Sequence, residues 1–125
     1  MNALDTMRAL ADQGEVRQLE AGEKVFSAGE PGSCMFGVLE GRVQLSWNGD
    51  AGHEEIEAGD VFGAGALVTS DHRRYGDAKA LTACRILVMN REKFLFAVQE
   101  APMFVIELLG SIDSRLRQLK DCLRR

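Results

Sequence analysis

The sequence lacks several features on which common classes of protein depend. Histidine occurs only as His53 and His72, with no HxH, HExxH or HxxxH pattern, so the metal-dependent enzymes built on small β-rolls have no ligand set here. The three cysteines, Cys34, Cys84 and Cys122, are widely spaced and include no CxxC pair. Their spacing excludes a disulfide framework and a locally encoded zinc site. It predicts a reducing, cytoplasmic protein with small buried thiols.

Long apolar segments and a leader pattern are also missing. No stretch approaches the roughly 18 apolar residues of a membrane span, and residues 1–13 carry three charges without an apolar core. We therefore expect neither a membrane partner nor a secretory signal. No nucleophile paired with a base is visible, so we expect no catalytic residues, no resident metal or cofactor and no enzyme activity. The 125 residues predict one domain spanning 1–125.

Charge is divided unevenly along the chain. Residues 1–110 carry 10 Lys and Arg against 17 Asp and Glu, whereas residues 111–125 carry five cations and two carboxylates. Cations near the C-terminal end of a helix complement its dipole, and an acidic body repels a phosphate backbone. The basic end of the chain is therefore interpreted as a helix terminus, and no DNA partner is expected.

Hydrophobic periodicity divides the chain into three zones. Apolar residues at helical spacing predict a short N-terminal helix over 3–14, ended by Gly14. From 15 to 89, short β-forming runs between glycine turns predict an all-β roll. From 90 to 125 the helical period returns and predicts C-terminal helices. The predicted strands are Val16–Leu19, Lys24–Ser27, Met35–Leu39, Arg42–Trp47, Glu54–Glu57 and Arg85–Met89.

Single residues support these boundaries. Asn48-Gly49-Asp50 predicts a hairpin tip. Asn90 is expected to cap a helix over 91–99, and Pro102 to begin the final helix. Structural roles are expected for a further set of residues. Trp47 is expected to pack on a strand, and Met35 and Met89 are expected to fill gaps between strands. The C-terminal helices are expected to contribute Phe94, Phe96 and Phe104 to the core. Of the adjacent pair Glu54-Glu55, one residue is expected in solvent and the other near a turn.

The final helix carries an apolar heptad pattern. Its members recur at spacings of 4, 3, 4, 3 and 4 residues: Val105, Leu109, Ile112, Leu116, Leu119 and Leu123. On one small domain the outer half of such a stripe has no cover, so we predict a homodimer through paired helices. The alternative is a helix packed on its own β core. Gly110 weakens the helix and permits close approach of backbones, and Cys122 beside the stripe raises an oxidation-dependent disulfide between two copies as a further alternative.

The segment from Gly59 to Leu67, followed by Arg73-Arg74-Tyr75-Gly76, is the most informative. Small residues from Gly63 to Ala66 predict a tight turn into one short helix, and the N–H groups of such a turn favour an anion. An arginine from a nearby strand would close on the same anion; the alternative is a tight turn beside a solvated arginine pair. The candidate ligand-binding residues are Phe62, Gly63, Ala64, Gly65, Ala66, Leu67, Arg73, Arg74 and Tyr75.

Three ordered blocks of sequence resemble the cyclic-nucleotide-binding domain of the catabolite-activator and fumarate/nitrate-reduction regulators. The resemblance implies a mainly β fold, a double-stranded β-helix or jelly-roll-like roll, with a short N-terminal helix and C-terminal helices ending in a long dimerisation helix. It also implies a cyclic nucleotide as ligand. The matching blocks are Leu19–Phe26 with Gly29–Gly32 and Met35–Val43, then Gly59–Gly63, then Ala80–Met89 with Arg91–Phe94.

This sequence departs from that family's pattern at the ligand. The family has a glutamate after Phe-Gly that accepts hydrogen bonds from the ribose 2′-hydroxyl, and here the position is Ala64. The arginine that pairs the cyclic phosphate corresponds best to Arg74, with Arg73 as the second choice. Tyr75 replaces a small hydroxyl residue and Gly76 an alanine. The resemblance therefore predicts weak or atypical binding of an anionic nucleotide.

Two functions follow from the resemblance. The first is a stand-alone sensing domain that signals through a homodimer helix to an unidentified downstream protein. The second is a ligand-independent dimerisation or scaffold domain whose pocket is filled by the Tyr75 ring. The family's transcription factors carry a helix-turn-helix after the long helix, and the present chain stops at Arg125, so no DNA-binding output is expected.

Overall fold

The fold is described from a computed structural model for residues 2–10 and 15–123. These residues form four helices and eight strands. The helices are α1 (Ala3–Leu10), α2 (Gly65–Val68), α3 (Arg91–Glu100) and α4 (Pro102–Leu123). The strands are β1 (Val16–Leu19), β2 (Lys24–Phe26), β3 (Cys34–Glu40), β4 (Arg42–Trp47), β5 (Gly52–Glu57), β6 (Val61–Phe62), β7 (Asp77–Ala80) and β8 (Cys84–Asn90).

The strands form two antiparallel four-stranded sheets. One has the order β1-β8-β3-β6 and the other β2-β7-β4-β5. One apolar cluster is built from residues of both sheets and includes Phe36, Val43, Ile56 and Phe62. Side chains from opposed antiparallel sheets fill the space between them in this way. The predicted mainly β roll with flanking helices is confirmed.

A second cluster holds the helices against the roll. Met7 of α1, Phe94 of α3 and Phe104 of α4 pack with Met35 and Met89 of the first sheet. Phe94 and Phe104 meet edge-on, with ring centroids 6.1 Å apart. This packing fixes where α4 begins, and so directs the rest of that helix along the roll.

Most local expectations are met. The N-terminal helix ends at Leu10, and its expected end at Gly14 lies outside the described residues. The Asn90 side chain accepts a hydrogen bond from the Lys93 backbone N–H at 2.9 Å, as an N-cap does. Pro102 begins α4. The hairpin tip is confirmed, since Asn48, Gly49 and Asp50 all have positive φ between β4 and β5.

The structure corrects three of the predictions. β6 and β7 were missing from the predicted strands, because both lie inside the glycine-rich segment. Phe96 is 54% exposed on α3 rather than in the core, because Phe94 and Ala97 form the buried face of that helix. The thiols also differ from expectation: Cys84 is buried, whereas Cys34 is half-buried and Cys122 is exposed.

The apolar stripe of α4 is covered unevenly. Val105 and Leu119 are half-buried, while the other four members are exposed: Leu109 (58%), Ile112 (42%), Leu116 (45%) and Leu123 (85%). No single helix within 2–10 and 15–123 is both long and apolar enough to cross a membrane. α3 and α4 would reach that length only as a pair, and they bend by 111° at their junction.

Candidate functional site

A cleft of about 400 Å³ opens on the face of the β2-β7-β4-β5 sheet. This volume lies within the range of small-molecule sites. Its walls are formed by Phe26, Leu45, Ser46, Trp47, Glu54, Gly63, Gly65, Ala66, Thr69, Arg73, Arg74, Tyr75, Gly76, Asp77, Arg115 and Leu119. The second sheet, the α2 turn and the second half of α4 therefore contribute to one cavity.

Arg74 is the most buried cation of the cleft, at 6% exposure. Its Nη1 donates to the Gly63 carbonyl oxygen at 2.7 Å, and its Nη2 donates to the Cys34 carbonyl oxygen at 2.7 Å. The guanidinium also lies 4.3 Å from the centroid of the Phe26 ring, within the range of a cation–π contact. These contacts hold the charge at the junction of β3, β6 and the α2 turn.

The charge of Arg74 has no carboxylate partner in the described residues. None of the ion pairs within 2–10 and 15–123 includes it. Burial lowers the pKa of Arg74 below its ordinary value, and the nearby Cys34 thiol and Glu30 carboxylate only partly oppose that shift. A buried cation without a counter-ion is costly, so this position would be stabilised by an anion that enters the cleft.

Gly32 makes room for the Arg74 guanidinium. A Cβ atom built at position 32 would overlap the Nε and Cζ atoms of Arg74 and would lie 2.7 Å from the Cβ of Ala66. The same segments are joined by backbone hydrogen bonds, since Arg74 N donates to the Glu30 carbonyl and its carbonyl accepts from Gly29 N. The Gly29–Gly32 turn therefore packs directly against Arg74.

The rim of the cleft is polar and open. Nη1 of Arg73 donates to the Gly29 carbonyl at 2.7 Å, and Asp77 accepts from the Ala28 backbone N–H at 2.7 Å. Tyr75 is 80% exposed. Its ring therefore does not fill the cavity, whereas the scaffold alternative predicted a pocket filled by that ring.

β5 and α4 form another part of the cleft wall. Nη2 of Arg115 lies 3.2 Å from Oε1 of Glu54, and Nη1 of Arg115 donates to the Val61 carbonyl at 2.7 Å. One turn earlier, the Ser111 hydroxyl donates to Asp60 at 2.5 Å. These contacts fasten α4 to the roll. The Nε of Arg115 is buried and has no hydrogen-bond partner among the described residues.

The predicted ligand-binding residues are brought together only in part. Gly63, Gly65, Ala66, Arg73, Arg74 and Tyr75 line the cleft, and α2 is the short helix predicted after the tight turn. Three others are not in its walls, because their side chains belong to the apolar core. Phe62 stacks on Phe36 with centroids 5.2 Å apart, and Ala64 and Leu67 join the cluster beneath the helices.

Ten of the sixteen wall residues were not among the candidate ligand-binding residues, and for four of these ten the sequence had predicted another role. Trp47 was expected to pack on a strand, and it also lines the cleft. Glu54 was expected in solvent or near a turn, but its strand position turns it inward while Glu55 faces out to Arg42. Arg115 was expected to complement the helix dipole and instead reaches the roll. Leu119 was placed in the dimer stripe and here lines the cleft, because the buried face of α4 extends to it.

The chain resembles known proteins over most of its length. The sequence profile of the cyclic nucleotide-binding domain matches residues 16–101. The chain is 28% identical over 97 residues to the cAMP-activated global transcriptional regulator CRP of Haemophilus influenzae, covering 74% of this chain and 43% of that protein. It is 30% identical over 107 residues to the lysophospholipase NTE1 of Pyricularia oryzae, covering 83% and 7%. It thus spans less than half the length of either relative.

Solved structures agree with this likeness. A structure from work on a cyclic-GMP-dependent signalling pathway of bacterial phytopathogenesis superposes with a TM-score of 0.76 and 26% identity, covering 92% of this chain and 91% of that one. The profile match covers the strands of the roll, the segment 59–76 that contributes Arg74 to the cleft, and α3. On these grounds the chain belongs to the cyclic nucleotide-binding domain family, in the form found in catabolite-activator-like regulators.

Proposed function

We propose that this chain is a cytoplasmic, non-enzymatic regulatory domain that binds an anionic nucleotide-type ligand in the Arg74 cleft. The single observation that carries the proposal is the buried Arg74 guanidinium, which forms no ion pair within 4 Å in the described residues. A cyclic phosphate would supply the missing negative charge, and arginine matches its oxygens bidentately. The ligand class is that of the family to which the chain belongs.

Ala64 supports weak or atypical binding. The family's ribose-binding carboxylate would stand at this position, and Ala64 is instead a buried core residue. Loss of one charge-assisted hydrogen bond costs about 1.5–3 kcal/mol, which corresponds to roughly 10–150-fold in affinity. We therefore expect dissociation constants well above those of family members that keep the carboxylate.

α4 is the element that would transmit the bound state. Arg115 and Leu119 line the cleft, while Leu109, Ile112 and Leu116 on the same helix are exposed. A ligand that shifts Arg115 or Leu119 would move the exposed stripe as well, because a helix moves as a rigid element. We propose that two copies pair through this stripe, and that the dimer passes the signal to a downstream protein.

One observation favours the alternative of a ligand-independent scaffold. Both Nη atoms of Arg74 already donate to carbonyl oxygens, those of Gly63 and Cys34. In that arrangement the arginine stabilises the turn by itself, and the dimer stripe would act without a ligand. The open cleft and the exposed Tyr75 ring support the sensing role over the scaffold.

Calorimetric titration tests the proposal. Cyclic AMP, cyclic GMP and cyclic di-GMP are titrated to millimolar concentration into the wild-type chain, and at least one should release heat. Trp47, the only tryptophan, lines the cleft, so its fluorescence should change with the same ligand. Heat from none of the three, with unchanged fluorescence, would favour the scaffold.

Variants assign the binding to Arg74. Arg74→Lys keeps the charge but loses the planar fork, and Arg74→Gln loses both; affinity should fall in that order, by tenfold or more for the second. Arg85→Gln is the matched control, because Arg85 pairs with Glu40 on an exposed surface. Circular dichroism shows whether each variant folds. Unchanged affinity in a folded Arg74→Gln chain would remove Arg74 from the site.

A further inference from the structure

We propose that Cys34 is an oxidation site whose product pairs with Arg74 and lowers the affinity of the cleft for an anion. The oxidant is a peroxide, and the product is a cysteine sulfenic acid, or a sulfinate after a second oxidation. The effect on affinity rests on the proposed function, because it changes the cation expected to bind the ligand. The oxidation and the pairing rest on the contact between Cys34 and Arg74.

The side chains of Cys34 and Arg74 are in direct contact. Nη2 of Arg74 lies 3.8 Å from Sγ of Cys34, and the same nitrogen donates to the Cys34 carbonyl oxygen at 2.7 Å. Arg74 is 6% exposed, and Cys34 is half-buried. One nitrogen of the guanidinium therefore faces both the backbone and the sulfur of Cys34, where it would meet a negative charge formed on that sulfur.

The charge of Arg74 is not matched by an anion at this position. It forms no ion pair within 4 Å in the described residues. The Glu30 carboxylate acts on it from a longer distance, and Oε1 of Glu30 accepts a hydrogen bond from the Ser27 backbone N–H at 2.6 Å. A buried charge is stabilised by a partner that is both paired and hydrogen-bonded to it. An oxidised Cys34 would supply that partner.

The other two cysteines have different surroundings. Cys84 is 3% exposed, and its Sγ contacts the carbonyl oxygens of Arg42 and Thr82. Cys122 is exposed on α4. Within 2–10 and 15–123, Cys34 is the only cysteine whose sulfur is hydrogen-bonded to a cation. Reactive cysteines are partly exposed and lie beside positive groups, so Cys34 is the thiol whose oxidation the fold would favour.

The first step is a two-electron oxidation of the sulfur. The Cys34 thiolate attacks one oxygen of hydrogen peroxide, an S–O bond forms and the O–O bond breaks. The leaving hydroxide takes up the proton that the thiol released, so the products are a sulfenic acid and water. A second peroxide gives a sulfinic acid, which is ionised at neutral pH, and a second water. One small thiol condenses with the sulfenic acid to a mixed disulfide and water, and a second thiol then releases Cys34.

Oxidation would act on the cleft through Arg74. Arg74 is a wall residue of the cleft and Cys34 is not, so the oxidation changes the charge of the cavity rather than its walls. The oxidised sulfur pairs with the guanidinium and cancels the charge that attracts an anionic ligand. The reduced chain therefore binds the ligand, and the oxidised chain binds it more weakly.

Labelling with dimedone, which traps sulfenic acids, tests the oxidation site. The chain carries Cys122→Ser, which removes the exposed thiol, and is treated with hydrogen peroxide and dimedone together. Peptide mass spectrometry should find the adduct at Cys34 and not at Cys84. Arg74→Gln should lower the labelling of Cys34 severalfold, because the cation that stabilises the anionic sulfur is lost.

The matched control for this labelling is Arg85→Gln, because Arg85 is an exposed arginine that pairs with Glu40. It should leave the labelling of Cys34 unchanged. Absence of the adduct at Cys34, or equal labelling of the wild-type arginine and Arg74→Gln chains, would overturn the site.

A charge variant tests the pairing with Arg74. Cys34→Asp places a permanent carboxylate beside the guanidinium, and Cys34→Asn is a neutral control of the same size. The first should unfold at a higher urea concentration than the second, and this difference should disappear when Arg74→Gln is added to both. Equal midpoints in the folded Cys34→Asp and Cys34→Asn chains would overturn the pairing. If either chain fails to fold, the labelling of Cys34 still decides the oxidation site.

Ligand affinity connects the oxidation site to the proposed function. Among cyclic AMP, cyclic GMP and cyclic di-GMP, the nucleotide that binds the wild-type chain should bind Cys34→Asp at least about tenfold more weakly than Cys34→Asn. Equal affinities would overturn the effect on ligand binding. If none of the three binds the wild-type chain, the proposed function fails, whereas the labelling and unfolding results still decide whether Cys34 and Arg74 form the oxidation site.

Discussion

Arg115 of α4 pairs with Glu54 of β5 at 3.2 Å, with the two side chains only 20% and 16% exposed. The next residue of the strand, Glu55, pairs with Arg42 at 3.4 Å, with both side chains more than 40% exposed. Neighbouring residues of a strand face opposite sides of the sheet. Two adjacent glutamates therefore form one interior contact and one surface contact, and they provide a matched pair for experiment.

Glu54→Gln should destabilise the chain more than Glu55→Gln. Removing Glu54 leaves Arg115 without its ion partner in a half-covered cleft, for an expected loss of about 1–3 kcal/mol in the free energy of unfolding. An exposed ion pair contributes less than about 1 kcal/mol. Urea unfolding curves followed by circular dichroism measure both. Equal losses in the two variants would mean that the Glu54–Arg115 pair contributes no more to stability than an exposed pair.

Leu116→Asp should convert a dimer into a monomer. Leu116 is 45% exposed in the middle of the α4 stripe, and a charge there would be desolvated in a helix pair. Light scattering gives the molar mass of each form. Gln118→Asp, at an exposed position of the same helix outside the stripe, should leave the mass unchanged. A monomeric wild-type chain would refute the pairing outright.

Gly110→Ala should raise the free energy of unfolding. Nothing lies within 4 Å of a Cβ built at position 110, and alanine in a helix interior is favoured over glycine by about 0.5–1 kcal/mol. Thermal unfolding should therefore shift upward. Light scattering on the same variant also tests whether two backbones meet at this glycine, because a methyl group there would then weaken the dimer.

Cys122 should be the first thiol to react. It is exposed on the last turn of α4, whereas Cys84 is 3% exposed and its Sγ contacts the carbonyl oxygens of Arg42 and Thr82. Mild oxidation followed by non-reducing electrophoresis should give a dimer band that Cys122→Ser abolishes. Absence of the band in wild type would rule out the disulfide between copies, and a band that persists in Cys122→Ser would assign it to another cysteine.

Much of the fold was predictable because its strands alternate with glycine turns. Val16–Leu19 and Arg42–Trp47 have the predicted bounds, and Asn90 and Pro102 mark the helix starts. β6 and β7 escaped prediction. Val61–Phe62 is too short for a two-residue alternation to be visible, and Asp77–Ala80 is rich in alanine, which carries little β preference.

The site was predictable on one side only. The segment around Gly63 and Arg74 could be identified from its glycines and arginines, because these residues lie close together in the sequence. Glu54 and Arg115 lie 61 residues apart, and their meeting depends on how α4 packs on the roll. Phe96 shows the same limit, because a helical period identifies an apolar face without saying which neighbour covers it.

The contact between Gly32 and Arg74 bears on how relatives of this chain should be compared. Position 32 lies outside the walls of the cleft, yet any larger side chain there would collide with the guanidinium and with Ala66. A genetic screen for unresponsive variants should therefore recover changes at Gly32 alongside changes at Arg74. In an alignment we expect the two positions to vary together, and a chain that keeps the arginine but not the glycine should hold the guanidinium in a different place.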